Sequence, residues 1–341
     1  MIAKIKRAKA KRVLLQFPDG LRKFAFRICR LVEDNTEALP MVSIDPCYGA
    51  CDLPTYQGKK LGVELIVHFG HTPYGMLEEI PIVYLETTSK IDVLKTVKKA
   101  LPFLKGKKKI GLATTVQHIA ELQRVRKLLE SEGIQSIIGR KKGQIKYDGQ
   151  ILGCNYSAMQ QIDDAVDAFL LVGSMFHALG AAITLRKNVI LADPYQDKVV
   201  DLRERKRDEL KRRWARISEA REITEFGIIV SIKTGQLRFD EAVKIKDLLE
   251  RSGRRGTLLI SSEVLPETLK DFPEFGAYIN TACPRLSMDD AYRFRSPVLS
   301  VDDVEILLGL KKWTSYVDGI YPEERTQEET VRDPTFSVTE G

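Results

Sequence analysis

The stretch RVLLQFPDGLRKFA, Arg12 to Ala25, decides the fold because two later stretches repeat its plan: KIGLATTVQHIAEL, Lys109 to Leu122, and FGIIVSIKTGQLRF, Phe226 to Phe239. Each is a short β-rich run, a polar turn and the start of a helical pattern. Second strand candidates follow in MVSIDPCYGACD from Met41, SIIGRKKGQIKYDGQILGCNYS from Ser136 and GTLLISSEV from Gly256. Third ones are VELIVHFGHTPYG from Val63, AFLLVGSMFHALG from Ala168 and AYINTACPRLS from Ala277, and PIVYLE, NVILADPY and PVLSVDD close the three sets. Strands alternating with helices, built on β-branched runs, imply parallel sheets covered on both faces. The expected fold is α/β: three related small parallel-sheet (Rossmann-like) domains around a pseudo-threefold axis. They are placed at 1–105, 106–205 and 206–341, the last including a connecting helix and a C-terminal tail.

The 341 residues are 43% hydrophobic and 30% charged, which leaves room for a large core. Length alone suggests about two domains; the repeat raises that to three. Lys and Arg number 54 against 47 Asp and Glu, but the resulting +7 is interleaved with acids and reads as solvated helix faces. No direct nucleic-acid partner is expected. The densest basic stretch, Asp201 to Ile223, carries Leu202, Leu210, Trp214 and Ile217 at helical spacing and reads as an amphipathic helix joining two domains. No run approaches the roughly 18 apolar residues of a bilayer span. The basic start, Met1 to Arg12, leads straight into a strand-like run without a cleavage site, so a cytoplasmic protein with no membrane contact is expected. The tail from Pro322 is polar enough to be extended.

In open parallel sheets the loops after the strands form the ligand crevice, and that is where the unusual residues gather. Cys51, Cys154 and Cys283 follow strands of the first, second and third units, one cysteine in each. If the three carboxyl edges face inward, three thiolates converge on one soft metal centre. Two centres fit: tetrahedral zinc with Cys47 as fourth ligand, or an iron-sulfur cluster on three cysteines with one iron open to substrate. Cys29 lies on the apolar stripe of LRKFAFRICRLV with Leu21, Phe24, Ala25, Ile28 and Val32, and reads as core. Five scattered cysteines are too few for a disulfide scaffold.

Of four histidines, His68 and His71 end a strand in HFGH, His177 holds the matching place in GSMFH, and His118 follows TTVQ. They are candidate acids, bases or ligands. Lys233 and Gln236 in SIKTGQ, and Arg285 beside Cys283, suit a carboxylate. No Walker loop, GxGxxG, GxSxG or HExxH is present, which removes support for the usual nucleotide, hydride and hydrolase readings.

Taken together, DPCYGACD, HFGH, GCN at Gly153 to Asn155, VGSMFHALG, SIKTGQ and CPR resemble the archaeal 2-(3-amino-3-carboxypropyl)histidine synthases, iron-sulfur enzymes of the first step of diphthamide biosynthesis. The likeness spans nearly the whole chain. It implies a homodimer of three-domain chains, each with a 4Fe-4S cluster on Cys51, Cys154 and Cys283, and Cys47 as a neighbour of the cluster. It implies transfer of the 3-amino-3-carboxypropyl group of S-adenosylmethionine to a histidine carbon of translation elongation factor 2, by a radical route, with an unidentified electron donor. Gln236, Arg285, Lys233, His71, Ser174 and His177 are the expected S-adenosylmethionine contacts, Arg285 and Gln236 on its carboxylate. The CxxxCxxC of common radical enzymes is broken, since Pro54 takes the third place. Two alternatives remain at this level: a quinolinate synthase-like iron-sulfur enzyme, and a noncatalytic binding protein tied together by zinc.

Overall fold

The computed structural model describes residues 1–313 apart from 76–78 and 289; the tail from Pro322 lies outside the described residues. Among the described residues, thirteen strands form three sheets. In the first, β1 (Arg12–Gln16), β2 (Leu39–Ser43), β3 (Leu65–Phe69) and β4 (Ile82–Leu85) are parallel in the order β2-β1-β3-β4. The second holds β5 (Lys109–Thr114), β6 (Gln135–Ile138), β7 (Ala168–Val172), β8 (Val189–Asp193) and β9 (Lys198–Asp201) in the order β6-β5-β7-β8-β9. The third repeats the first, with β10 (Glu225–Ser231), β11 (Arg255–Ser261), β12 (Ala277–Asn280) and β13 (Val298–Ser300) in the order β11-β10-β12-β13. The fold is thus three α/β units, each with its second strand outside and its first strand beside the third. Chain direction across the sheet reverses between first and third strands, and this switch point opens a crevice at their carboxyl ends.

Burial follows from sequence. LIVHF in β3 and AFLLV in β7 are buried at every position, as central parallel strands covered on both faces must be. Each sheet has its own core: Val13, Leu15 and Val67 in the first, Leu112, Leu170 and Ile190 in the second, Ile228, Ile279 and Leu299 in the third. Cys29 packs half-buried against the first core, as its stripe predicted, whereas Phe24 of that stripe is 44% exposed.

Two features depart from the four-strand plan. DPYQDKVVD adds β9, the antiparallel partner of β8, after a turn in which Asp197 takes φ 51°. The run from Ser136 is strand only as far as Ile138; residues 139–156 are a long loop that returns to the sheet, where Thr114 bonds Gly149 and Ile151 through the backbone. Ile145 and Ile151 are buried and pin this loop. Gly139 lets it close, because a Cβ there would lie 1.6 Å from the Ala158 carbonyl oxygen. Gly139→Ala is therefore expected to cost about 3 kcal/mol, the upper range for overpacking, since the obstacle is backbone. Urea unfolding checks this; a midpoint equal to that of the parent rejects the role given to this glycine.

The basic stretch forms the helix Arg203–Glu219, with Leu202, Leu210 and Ile217 buried. It packs on the helix Met175–Thr184 of the second unit and on Val301–Leu307 of the third. Lys206 donates to the Leu185 carbonyl at 2.7 Å, and Arg213 pairs with the buried Asp303. The helix joins two units, and a division after residue 205 cuts it.

Candidate metal centre

The loops after the strands bring Cys51, Cys154 and Cys283 together. Cys51 lies on the loop after β2, Cys283 follows β12, and Cys154 sits near the end of the loop 139–156, not directly at a strand end. The thiols sense one another. Burial raises all three above the ordinary thiol value, and each added charge raises its neighbours: Cys154 acts on Cys51, and both act on Cys283, which is pushed up to about 11. Without a cation the site therefore holds neutral thiols. A metal at its centre would reverse that, because a coordinating thiol is deprotonated outright.

Each sulfur has its own hydrogen-bond donor. Gln236 Nε2 donates to Cys51 Sγ at 3.5 Å, Tyr74 Oη lies 3.9 Å from Cys154 Sγ, and the Arg285 backbone N–H serves Cys283. These donors stabilise thiolate and set the properties of a metal bound to it. Among the described residues, the tight set of three His, Cys, Asp or Glu donor atoms, all within 4.8 Å of one another, is Cys47, His68 and His71.

Two units meet at Cys51. The SIKTGQ loop after β10 reaches across from the third unit, and Gly235 N–H donates to the Cys51 carbonyl at 2.8 Å. Lys233 of that loop bonds Asp52 at 2.8 Å, pairs with Glu263 and lies over the Tyr48 ring. Burial works against its charge, yet the two carboxylates outweigh burial and its pKa is raised. Lys233, expected from sequence to suit a carboxylate, thus has two carboxylate partners within the chain, and its ammonium is a strut between units.

Arg285 crosses from the third unit into the second. Its guanidinium lies 3.8 Å from the Phe176 ring centroid and against the Tyr156 hydroxyl, in space that exists because residue 180 is glycine. A Cβ at Gly180 would lie 1.9 Å from Tyr156 Oη and 2.6 Å from Arg285 Nη1. His177, one helical turn inside the same wall, is 3.1 Å from Ser174 Oγ and is pushed down to about 4, by burial first and by Arg285 second. His118 packs instead on Tyr195, ring centroids 5.4 Å apart, beside Asp193.

At the switch point of the first sheet, Gln16 and His68 are cross-strand partners. Gln16 Nε2 donates to the Asp52 carbonyl at 2.6 Å, which leaves Oε1 to accept from His68 Nδ1–H at 2.7 Å. His68 Nε2 is 2.9 Å from His71 Nδ1. Burial holds both rings neutral, His68 near 3 and His71 near 4. Gln16, Tyr74, Tyr156 and Phe176 were not singled out from sequence. Gln16 alone left a trace there, as a polar residue ending a buried apolar strand.

Three α/β units that pool one thiol each around a shared cleft define a metal-centre enzyme assembled between domains. The chain belongs to the diphthamide synthesis protein family, whose sequence model matches residues 17–317. It is 38% identical over 315 residues to 2-(3-amino-3-carboxypropyl)histidine synthase of Pyrococcus horikoshii, covering 92% of this chain and 90% of that one. It is 30% identical to subunit 1 of the Dictyostelium discoideum synthase, covering 94% of this chain and 69% of that protein. The crystal structure of Dph2 from Pyrococcus horikoshii with a 4Fe-4S cluster superposes with a TM-score of 0.85 at 37% identity, covering 91% of this chain and 90% of that one. The family sets aside the quinolinate synthase alternative. It also makes this chain a transferase.

Proposed function

We propose that the chain transfers the 3-amino-3-carboxypropyl group of S-adenosylmethionine to a histidine carbon of translation elongation factor 2, with Cys51, Cys154 and Cys283 holding a 4Fe-4S cluster. The observation that carries this is the meeting of one thiol from each unit, each sulfur with a separate donor, beside a buried arginine. A cluster held by Cys51, Cys154 and Cys283 would supply one electron to the sulfonium. The chain's own residues bind and orient. Arg285, stacked on Phe176, and Gln236 hold the methionyl carboxylate so that one carbon is presented for cleavage. His177, neutral at pH 7, offers a lone pair to the substrate ammonium, with Ser174 fixing its ring. Cys154 is exposed and marks the open side of the cleft, from which a protein substrate approaches.

The reading also carries a homodimer, a cytoplasmic setting and an unidentified electron donor. No helix among the described residues is long and apolar enough to cross a membrane. Reduced, anaerobic protein incubated with elongation factor 2 and S-adenosylmethionine labelled in its aminocarboxypropyl group is expected to label one histidine of the factor. Absence of label rejects the proposal. Arg285→Ala is expected to weaken S-adenosylmethionine binding roughly tenfold to a hundredfold, the worth of hydrogen bonds to a charged group, with cluster absorbance intact. Unchanged binding by calorimetry removes Arg285 from the carboxylate.

A further inference from the structure

We infer that Cys47, His68 and His71 form a second metal site, for a zinc-class divalent cation, beside the three-cysteine centre. This rests on geometry alone and stands apart from the transferase reading. One sulfur and two ring nitrogens lie mutually within 4.8 Å, on the loop after β2 and at the end of β3. Cys47 is 5% exposed and His68 fully buried. Cysteine and histidine are the donors that zinc takes, and three protein ligands leave its fourth position for water.

The surroundings are arranged as a ligand histidine requires. A ligating imidazole commonly donates its other N–H to an oxygen that fixes tautomer and ring orientation. Here Gln16 Oε1 takes the His68 Nδ1 proton at 2.7 Å, and Gln16 is itself fixed by its bond to the Asp52 carbonyl. The remaining nitrogen, Nε2, therefore carries its lone pair towards His71 and Cys47. His71 meets it with Nδ1, 2.9 Å away. Two nitrogens on one zinc, with bonds of about 2.0 Å, stand about 3.4 Å apart, so binding opens this contact by about half an ångström and turns His71 to its other tautomer. Both rings are already neutral, and the Cys47 thiol gives up one proton on coordination. Loaded in this way, the site fastens the loop that carries Cys51 to the strand that carries His68.

The test uses cluster-loaded protein, so that the three-cysteine centre cannot take the added metal. After equilibration with zinc and desalting, elemental analysis is expected to give about one zinc per chain beside the iron, and zinc is expected to raise the melting temperature. Cys47→Ser and, separately, His71→Gln are expected to lose the zinc and the thermal shift while keeping the iron. A chain lacking Cys51, Cys154 and Cys283 is expected to bind cobalt with a thiolate charge-transfer band that Cys47→Ser removes. Holoprotein without stoichiometric zinc, or zinc retained in both single variants, overturns the site. If Cys47→Ser does not fold, the His71→Gln result decides in the same two directions.

Discussion

Cys154→Ser is expected to leave the fold intact and to abolish both cluster binding and transfer. Cys154 is an exposed residue on the 139–156 loop, its thiol desolvated by the protein walls around the cleft and not by packing in a core, so the change from sulfur to oxygen leaves no cavity. Were the residue an ordinary surface cysteine, the substitution would fall within about 0.5 kcal/mol of the parent. As one of three thiols around a centre it is not replaceable. Losing a residue that merely supports a ligand costs up to about a hundredfold, so losing the ligand itself is expected to cost at least about that much in activity. Iron analysis, cluster absorbance and label transfer, each against an unchanged melting temperature, check it. Full iron content in this variant sinks the assignment.

Lys233→Met carries the largest expected loss of stability. Lys233 lies between Asp52 of the first unit and Glu263 of the third, with side chains 9%, 13% and 32% exposed. Removing one partner of a buried ion pair leaves uncompensated charge and costs about 3 kcal/mol or more. The loss depends on pH, and its sign follows from Asp52. Burial already raises the Asp52 carboxyl above the ordinary carboxylate value in spite of Lys233, and without the ammonium it rises further. A carboxyl whose pKa is higher folded than unfolded binds protons preferentially in the folded state, so stability grows as pH falls through the folded value. The variant is thus expected to lose more at pH 7.5 than at pH 5. Denaturant unfolding at the two pH values, on parent and variant, measures it. Equal losses at both would mean that Asp52 keeps its charge without Lys233.

The strands were legible in the sequence because each is a short, fully buried apolar run with a polar turn behind it, as in RVLLQF and AFLLVG. β9 was not, since VVD is too short to show a period and its pairing depends on the turn at Asp197. The convergence of the three cysteines was readable because the repeat fixed which end of each strand carries them. Cys154 was harder to place, because a loop with buried Ile145 and Ile151 resembles in sequence a strand extended past Ile138. The ion pairs of Lys233 were hidden for a different reason. Its partners Asp52 and Glu263 lie 181 and 30 residues away, and nothing local indicates that an ammonium is already neutralised. Arg285 and Gly180 pose the same difficulty: the glycine makes room for a side chain from another unit.

The order of the first four strands, shared by the three units, has a consequence for where each thiol stands. A ligand inherited with a repeated unit would occupy one equivalent place three times. In this chain the first two thiols follow the second strand of their sheets, but the third follows the third strand. The loop after β11, which corresponds to the one bearing Cys51, carries Glu263, and Glu263 grips Lys233. What the units share, then, is the scaffold with its open carboxyl edge and not the position of the thiol, and the surroundings of the three sulfurs are chemically distinct: a side-chain amide attends one sulfur, a phenol the second and a backbone amide the third.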